Sequence, residues 1–438
     1  MPLRPETLRA AVAGSRANLS GRHETVNLSD LGRALDADLS GANVLLRTSD
    51  QLFAALALIE LDGVAARIVI CPPDVKLEHL SSVVERAAIA VVVSDDPALA
   101  VVGMRFEQPH LPKPGTPVAP SQKTEWVLFT SGTTGAPKMV AHTLEGLTGA
   151  IQPANASDIV WGTFYDIRRY GGLQILLRAL LGQVSLILSD AHEDVADFLA
   201  RLAPVTHLTG TPSHWRRALM SPANAKINPR YVRLSGEIAD QAILDSLKAR
   251  FPDAAIGHAY ASTEAGVGFE VTDGLEGFPA DFIGRPGAVE MKVVDGTLHI
   301  RSPRTASEYV GGAALLHDGW VDTTDMVEQR GDRFHFVGRT GGIINVGGLK
   351  INPEEVEAVI NRHPGVRMSR VSGRKSPITG AIVIADVVLN DAANDNATFK
   401  DAILAACREK LPAFKVPAML RFVAALELTA GGKLSRHA

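Results

Sequence analysis

The sequence predicts an α/β fold: a large multilayer N-terminal domain of sheets and helices over residues 1–340, then a small mobile α+β lid domain over residues 341–438. Three observations point there. Residues 43–96 alternate strand-like and helix-like pieces, and the alternation resumes between residues 185 and 251. Around residues 289–302 the pattern turns to antiparallel hairpins. After Gly347-Gly348 a new unit begins.

In chain order, residues 43–47 read as a strand, and residues 50–61 as a buried helix capped by Asp50. Residues 67–71 form the next strand, ended by Pro72-Pro73, with a helix over 77–87 and a strand over 88–94. This rhythm implies a parallel sheet with helices packed on it. Residues 108–123 hold five prolines and read as an irregular connector. Residues 185–188, 206–208 and 231–234 are strands; 172–181, 195–202 and 241–251 have helical spacing. Asp295-Gly296 marks a hairpin turn between 292–294 and 297–301. Residues 333–337 read as a strand. Asn352-Pro353-Glu354-Glu355 starts a helix with a cap, a proline at the first position and acids in the first turn. Residues 381–389 form a strand and 399–411 a helix.

Composition narrows the class. The 438 residues leave room for two or three domains, and 46% apolar with 21% charged residues is ordinary for a globular protein. A net charge of −4 without a basic stripe excludes a general nucleic-acid binder. Two cysteines, Cys71 and Cys407, make no disulfide framework and fit a reducing cytoplasm. The first 20 residues are polar, unlike a secretory signal, and no apolar run is long enough for a membrane span.

Chemistry concentrates in Trp126–Val140. An apolar strand ends in Thr130-Ser131-Gly132-Thr133-Thr134-Gly135-Ala136-Pro137-Lys138. Two glycines free the backbone, hydroxyls supply short donors, and Lys138 adds a point charge, so the loop can wrap phosphate oxygens. It is not a Walker A loop, because Pro137 stands where that motif needs glycine. A surface turn rich in Ser, Thr and Gly is the plainer alternative. The loop resembles the phosphate-binding signature of the adenylate-forming (AMP-binding) superfamily: acyl-CoA synthetases, nonribosomal peptide adenylation domains and beetle luciferases.

Four further stretches agree with that resemblance, in the family's order. Gly257-His258-Ala259-Tyr260-Ala261-Ser262-Thr263-Glu264 resembles its Tyr-Gly-x-Thr-Glu motif, with Ala261 replacing Gly. It implies that Tyr260 stacks on adenine, Thr263 touches the α-phosphate and Glu264 helps hold Mg²⁺; a π face suits a purine, and a carboxylate beside phosphates needs a divalent ion between. Ser235-Gly236-Glu237 resembles the segment lining the adenine pocket, together with Ala259. Trp320 to Asp325 resembles aromatic-x-x-Thr-Gly-Asp, with Thr324 in place of Gly; Asp325 would accept both ribose hydroxyls. Gly338-Arg339 opens a stretch similar to Gly-Arg-x-Asp-Asp, in which Gly341 and Gly342 replace both acids. There Arg339 would contact ribose or phosphate, and Gly341 would be the hinge of the lid. Gly347 and Gly348 match the thiol tunnel, or form a simple connector. Gly432-Lys433-Leu434-Ser435-Arg436 resembles the end motif whose lysine catalyses adenylation, here Lys433.

The resemblance implies a ligase using ATP, Mg²⁺ and CoA. A carboxylic acid is adenylated by Lys433, Thr263 and Glu264, and a thiol then displaces AMP. The acyl pocket is expected between residues 161–173 and 257–260, with Phe164, Tyr165, Tyr170, Gly171 and Gly172 lining it. Asp166, Arg168 and Arg169 could read a polar substrate or be surface charge; His207 reads as structural. Two alternatives stay open: loading of a separate phosphopantetheine carrier protein, and a degenerate homologue that binds nucleotide without turnover.

Overall fold

A computed structural model describes residues 6–100, 104–130, 137–152, 158–312, 314–376, 380–390 and 397–436. It is mixed α/β. One seven-stranded sheet runs in the order Glu308–Tyr309, Met139–Thr143, Glu125–Phe129, Arg67–Ile70, Asn43–Leu46, Val91–Val93, Arg105–Glu107. Its interior strands are parallel, and Met139–Thr143 returns antiparallel to Glu125–Phe129. The eight-stranded sheet runs Gly266–Val271, Ala255–Ser262, Tyr231–Ser235, His207–Gly210, Val160–Thr163, Ser185–Leu188, Asn18–Ser20, Thr25–Asn27.

The helices Gln51–Leu61 and Tyr170–Leu181 share one apolar core with strands of both sheets. The first is buried on every side, as its near-continuous Leu/Ala run requires. Asp50 caps it through Leu52 N–H, and buried Glu60 accepts from Leu35 N–H and from Arg33. Such pairing is what lets a carboxylate sit inside a core.

A five-stranded antiparallel sheet follows, in the order Phe278–Pro279, Arg333–Arg339, Val321–Arg330, Thr297–Arg301, Glu290–Val294. Asp295 and Gly296 turn its hairpin with φ of 48° and 79°, the left-handed pair that two-residue hairpins favour. The last part has its own core, with Ile351, Val356, Ile360, Val371, Ile403 and Leu420 at its centre. Helices Pro353–Asn361 and Ala397–Lys410 pack there on strands Val366–Ser376, Gly380–Leu389 and Met419–Phe422.

The expected parallel alternation, the late hairpins and the C-terminal α+β unit are all present. Three readings change. Residues 257–266, given no secondary structure from sequence, form most of a long hairpin, Ala255–Ser262 against Gly266–Val271. Val366–Ser376 is a strand that its Arg, Ser and Lys content hid. Arg168 is not surface charge: it is 2% exposed, and its guanidinium binds Asp166 and the carbonyls of Thr48 and Ser49.

Candidate active site

Strand ends, one antiparallel strand pair and the C-terminal tip bring the predicted residues together; Thr130 follows strand Glu125–Phe129 and Ser235 ends strand Tyr231–Ser235. Thr130 and Lys138 stand at the two ends of the glycine-hydroxyl loop, and Thr130 N–H donates to Lys138 O at 3.0 Å. Arg86 pins the neck through Pro137 O and Val310 O. Ser131, Gly132, Thr133, Thr134 and Gly135 lie outside the described residues. The Lys138 ammonium stands 5.6 Å from the centre of the Tyr309 ring.

Thr263 and Glu264 occupy the turn of the hairpin that follows. His142 Nε2–H donates to Thr263 O at 2.8 Å, and burial pushes the His142 imidazole down to about 4, so it is neutral at physiological pH. Glu264 O accepts from Ala306 N–H at 2.9 Å. Burial raises the Glu264 carboxyl, while its own N–H, Arg339 and Lys138 favour the ionised form. Gly266 closes the turn at φ +77°; a Cβ there would stand 2.6 Å from Arg304 O.

Tyr260 lies on the same hairpin, stacked within 9° of the Phe336 plane. Its hydroxyl donates to Asp325 Oδ2 at 2.5 Å, and Arg339 Nε donates to Asp325 Oδ1 at 2.7 Å. Asp325 and Arg339 are direct partners in adjacent strands. Thr324 adopts φ +58°, so the backbone keeps the left-handed form that glycine would ease.

The C-terminal tip enters this group. Leu428 pairs with Leu434, and Thr429 N–H donates to Lys433 O at 2.7 Å, making a tight loop. Thr211 Oγ1–H donates to Gly432 O at 2.7 Å, and Leu434 N–H donates to Glu237 Oε1 at 2.7 Å. Glu237 also accepts from Ser213, so it is a docking post for the tip rather than a bare pocket wall. Gly432 sits at φ +71° against the His214 ring; a Cβ would fall 1.8 Å from Cε1. Lys433 Cε passes 3.4 Å from where a Cβ on Gly236 would stand. Burial and the Arg339 charge lower the Lys433 ammonium, with Glu237 and Asp325 acting against them.

The expected acyl-pocket residues divide. Tyr165 and Tyr170 are buried on the site side, and Tyr165 donates to Ser235 O at 2.9 Å. Gly171 lies beside the Tyr165 ring. Gly172 is held by packing: a Cβ would meet Asp166 O at 2.2 Å. Phe164 packs instead with Phe198, Trp215 and the His214 ring. His207 lies between Trp161 and Tyr231, a packing role. Gly341 lies in an exposed turn, Thr340–Gly342, with open space around it. Gly347 and Gly348 form the exposed turn of the hairpin Ile344–Val346/Leu349–Ile351, with φ of 59° and 88°. Ala259 pairs with Ser235 on adjacent strands.

Sequence reading missed His142, Thr211 and His214. The Thr211-Pro212 pair is a legible helix start, with a capping box that uses His214. Its contact with the tip is tertiary and leaves no local trace.

A cation centre of three or more His, Cys, Asp or Glu side chains is absent among the described residues. Magnesium carried with nucleotide phosphates needs only one or two protein carboxylates, and Glu264, shielded beside Lys138, fits that need.

The profile of the AMP-binding enzyme family matches residues 49–310, and that of the AMP-binding enzyme C-terminal domain matches residues 355–433. A 2-succinylbenzoate–CoA ligase from Salmonella typhimurium is 25% identical, over 95% of this chain and 90% of that protein. Another from Listeria innocua is 26% identical, over 72% of this chain and 69% of its own length. Among solved structures, an arginine-to-lysine variant of E. coli MenE with bound OSB-AMS superposes with a TM-score of 0.78 at 21% identity, covering 97% of this chain and 96% of that one, a likeness of fold. With both profiles matched in order and the fold shared, this chain belongs to the AMP-binding enzyme family.

Proposed function

We propose that the protein is an AMP-forming acid–thiol ligase. It activates a carboxylic acid with ATP as the acyl-adenylate, releases pyrophosphate, and transfers the acyl group to the thiol of CoA. The observation that carries this reading is the Lys433 tip, docked on Thr211 and Glu237 and facing Asp325, Arg339 and Gly236. The names of the two curated relatives support the same chemistry.

In the first half-reaction a carboxylate oxygen attacks the α-phosphorus, and the bond to the pyrophosphate oxygen breaks. Charge moves from the carboxylate onto phosphoryl oxygens, so pre-placed cations lower the barrier. Lys433 and Lys138 supply them, with the loop hydroxyls of Ser131, Thr133 and Thr134. Glu264 would hold magnesium brought in with the nucleotide, and the ion would supply neutralisation of phosphate charge. Asp325 accepts the ribose hydroxyls, Arg339 holds Asp325 in place, and Tyr260 offers its ring to adenine beside Ser235, Gly236 and Ala259. Thr263 lies at the α-phosphate.

In the second half-reaction the thiol attacks the mixed anhydride and AMP leaves. Lys433 is then no longer needed, and a lid turning about Gly341 withdraws it and brings Gly347 and Gly348 to line the thiol's path. The lid is the unit of residues 341–438. ATP and CoA as substrates suit an enzyme of the cytoplasm, and no described helix is long and apolar enough to cross a membrane.

The test is pyrophosphate release over a panel of carboxylic acids, with the product weighed after adding CoA or a phosphopantetheine carrier. Acid-dependent release and a CoA thioester are expected, with release falling about 10²- to 10³-fold in Lys433→Ala. A carrier-bound product in place of the CoA thioester would move the chain to carrier loading. Release equal in variant and parent would remove Lys433 from the chemistry.

A further inference from the structure

Beneath the site, one face of the eight-stranded sheet is polar. Trp161 and Thr163 align with His207 and Thr209, which align with Tyr231 and Arg233; Arg233 in turn aligns with Gly257. Helix Tyr170–Leu181 covers this face, with Tyr170, Gln174 and Arg178 at four-residue spacing along one side. The Arg178 guanidinium stands 5.8 Å from the Trp161 ring.

The Arg233 side chain is 9% exposed. Its nearest carboxylate is Glu270, with Nη2 and Oε2 3.7 Å apart, which is beyond hydrogen-bond reach. Its Nε is buried and without a partner, and so is the Nε of Arg178. Glu270 is already engaged by the Tyr231 hydroxyl. Two guanidinium groups therefore share one carboxylate that is itself bonded elsewhere. A buried cation with an unmet donor is costly, and a core rarely keeps one for packing alone. Thr163 and Thr209 hydroxyls, fully buried and bonded to each other at 3.0 Å, continue the polar floor. Gly257 keeps space beside the pair: a Cβ there would approach Glu270 Oε1 to 3.3 Å.

Position makes this a specificity feature. Arg233 stands two residues before Ser235, so it lies roughly 7 Å down the strand from the end where Gly236 faces Lys433. An acid reaching roughly 7 Å along this strand from the Lys433 end would bring its far group to Arg233. We propose that Arg233, assisted by Arg178, binds a second carboxylate of the acid, so that the enzyme activates dicarboxylic acids through the carboxyl group remote from this pair. The inference rests on the ligase reading above and names its substrate class.

The experiment compares kcat/KM for pyrophosphate release between straight-chain dicarboxylic acids, glutarate to suberate, and monocarboxylic acids of equal carbon number. Parent, Arg233→Met, Arg233→Lys and Arg178→Met are measured, with thermal melting as the check on folding. The parent is expected to favour a diacid over its matched monoacid by about 10- to 100-fold, the range of a hydrogen bond to a charged group. Arg233→Met is expected to lose that ratio, Arg233→Lys to keep part of it, and Arg178→Met to reduce it less. If Arg233→Met does not fold, the Arg233→Lys ratio decides: no change from the parent overturns the proposal. Turnover of monoacids with no diacid advantage overturns it too, while leaving the ligase reading intact. No acid-dependent release from any acid would instead overturn the ligase reading itself.

Discussion

Lys433 is a lysine whose surroundings work against its charge. Burial and Arg339 lower its pKa below the ordinary lysine value, and Glu237 and Asp325 recover only part of this. The sign follows: the ammonium form is present below that lowered pKa and is lost as pH rises through it. Catalysis needs the ammonium form, so kcat/KM for ATP, which reports the free enzyme, should fall on the alkaline side before ordinary lysines titrate. Attack by CoA on supplied acyl-adenylate should lack that limb, because in the proposed cycle Lys433 has left by then. A pH profile of each half-reaction checks this; an alkaline fall shared equally by both would count against it. Tyr260, Glu264, Asp325, Arg339 and Lys433 could be singled out in the sequence because they stand in stretches that resemble motifs of the family. His142, Thr211 and Arg233 were not. A histidine, a threonine and an arginine on strands or their ends look ordinary until the sheet aligns them.

At the scale of elements, two glycines make opposite kinds of prediction. Gly172 sits where the chain enters helix Tyr170–Leu181, with Asp166 O in the space of any Cβ. Gly172→Ala should cost stability by roughly 2–4 kcal/mol, read as a lowered denaturation midpoint. Gly432 instead lies in the tip, at φ +71° and against His214. Gly432→Ala should leave the melting temperature close to the parent's, because the tip is peripheral to both large cores. It should cut acyl-adenylate formation at least about tenfold by keeping Lys433 from docking. A large loss of stability with an intact first half-reaction would contradict that division. Helices and strands with strong periodicity were readable: Asp50 caps its helix as expected, and Asp295-Gly296 turns its hairpin. The hairpin Ala255–Ser262/Gly266–Val271 was hidden. Its Gly, Ser and Thr residues suit turns locally, and Gly266 is required by the close approach of the Arg304 carbonyl.

Over the whole molecule, separate cores divide the chain. The last unit has its own apolar centre, and polar contacts join it to the larger body: Asn361 to Asp240, Arg362 to Glu276, and the tip on Thr211 and Glu237. Exposed ion pairs such as Arg362–Glu276 contribute little each, as the proposed release of the lid requires. The order of parts was legible from the change of pattern after the antiparallel sheet. Which way the lid faces was not, because orientation depends on a few polar contacts between distant residues.

The central claim is that the lid presents Lys433 for the first half-reaction only. The direct measurement compares parent and Lys433→Ala in two single-turnover assays: acyl-adenylate formation from acid and ATP, and thioester formation from supplied acyl-adenylate and CoA. The account predicts a fall of about 10²- to 10³-fold in the first and a change of no more than about threefold in the second. An equal loss in both half-reactions, or no loss in the first, would contradict it.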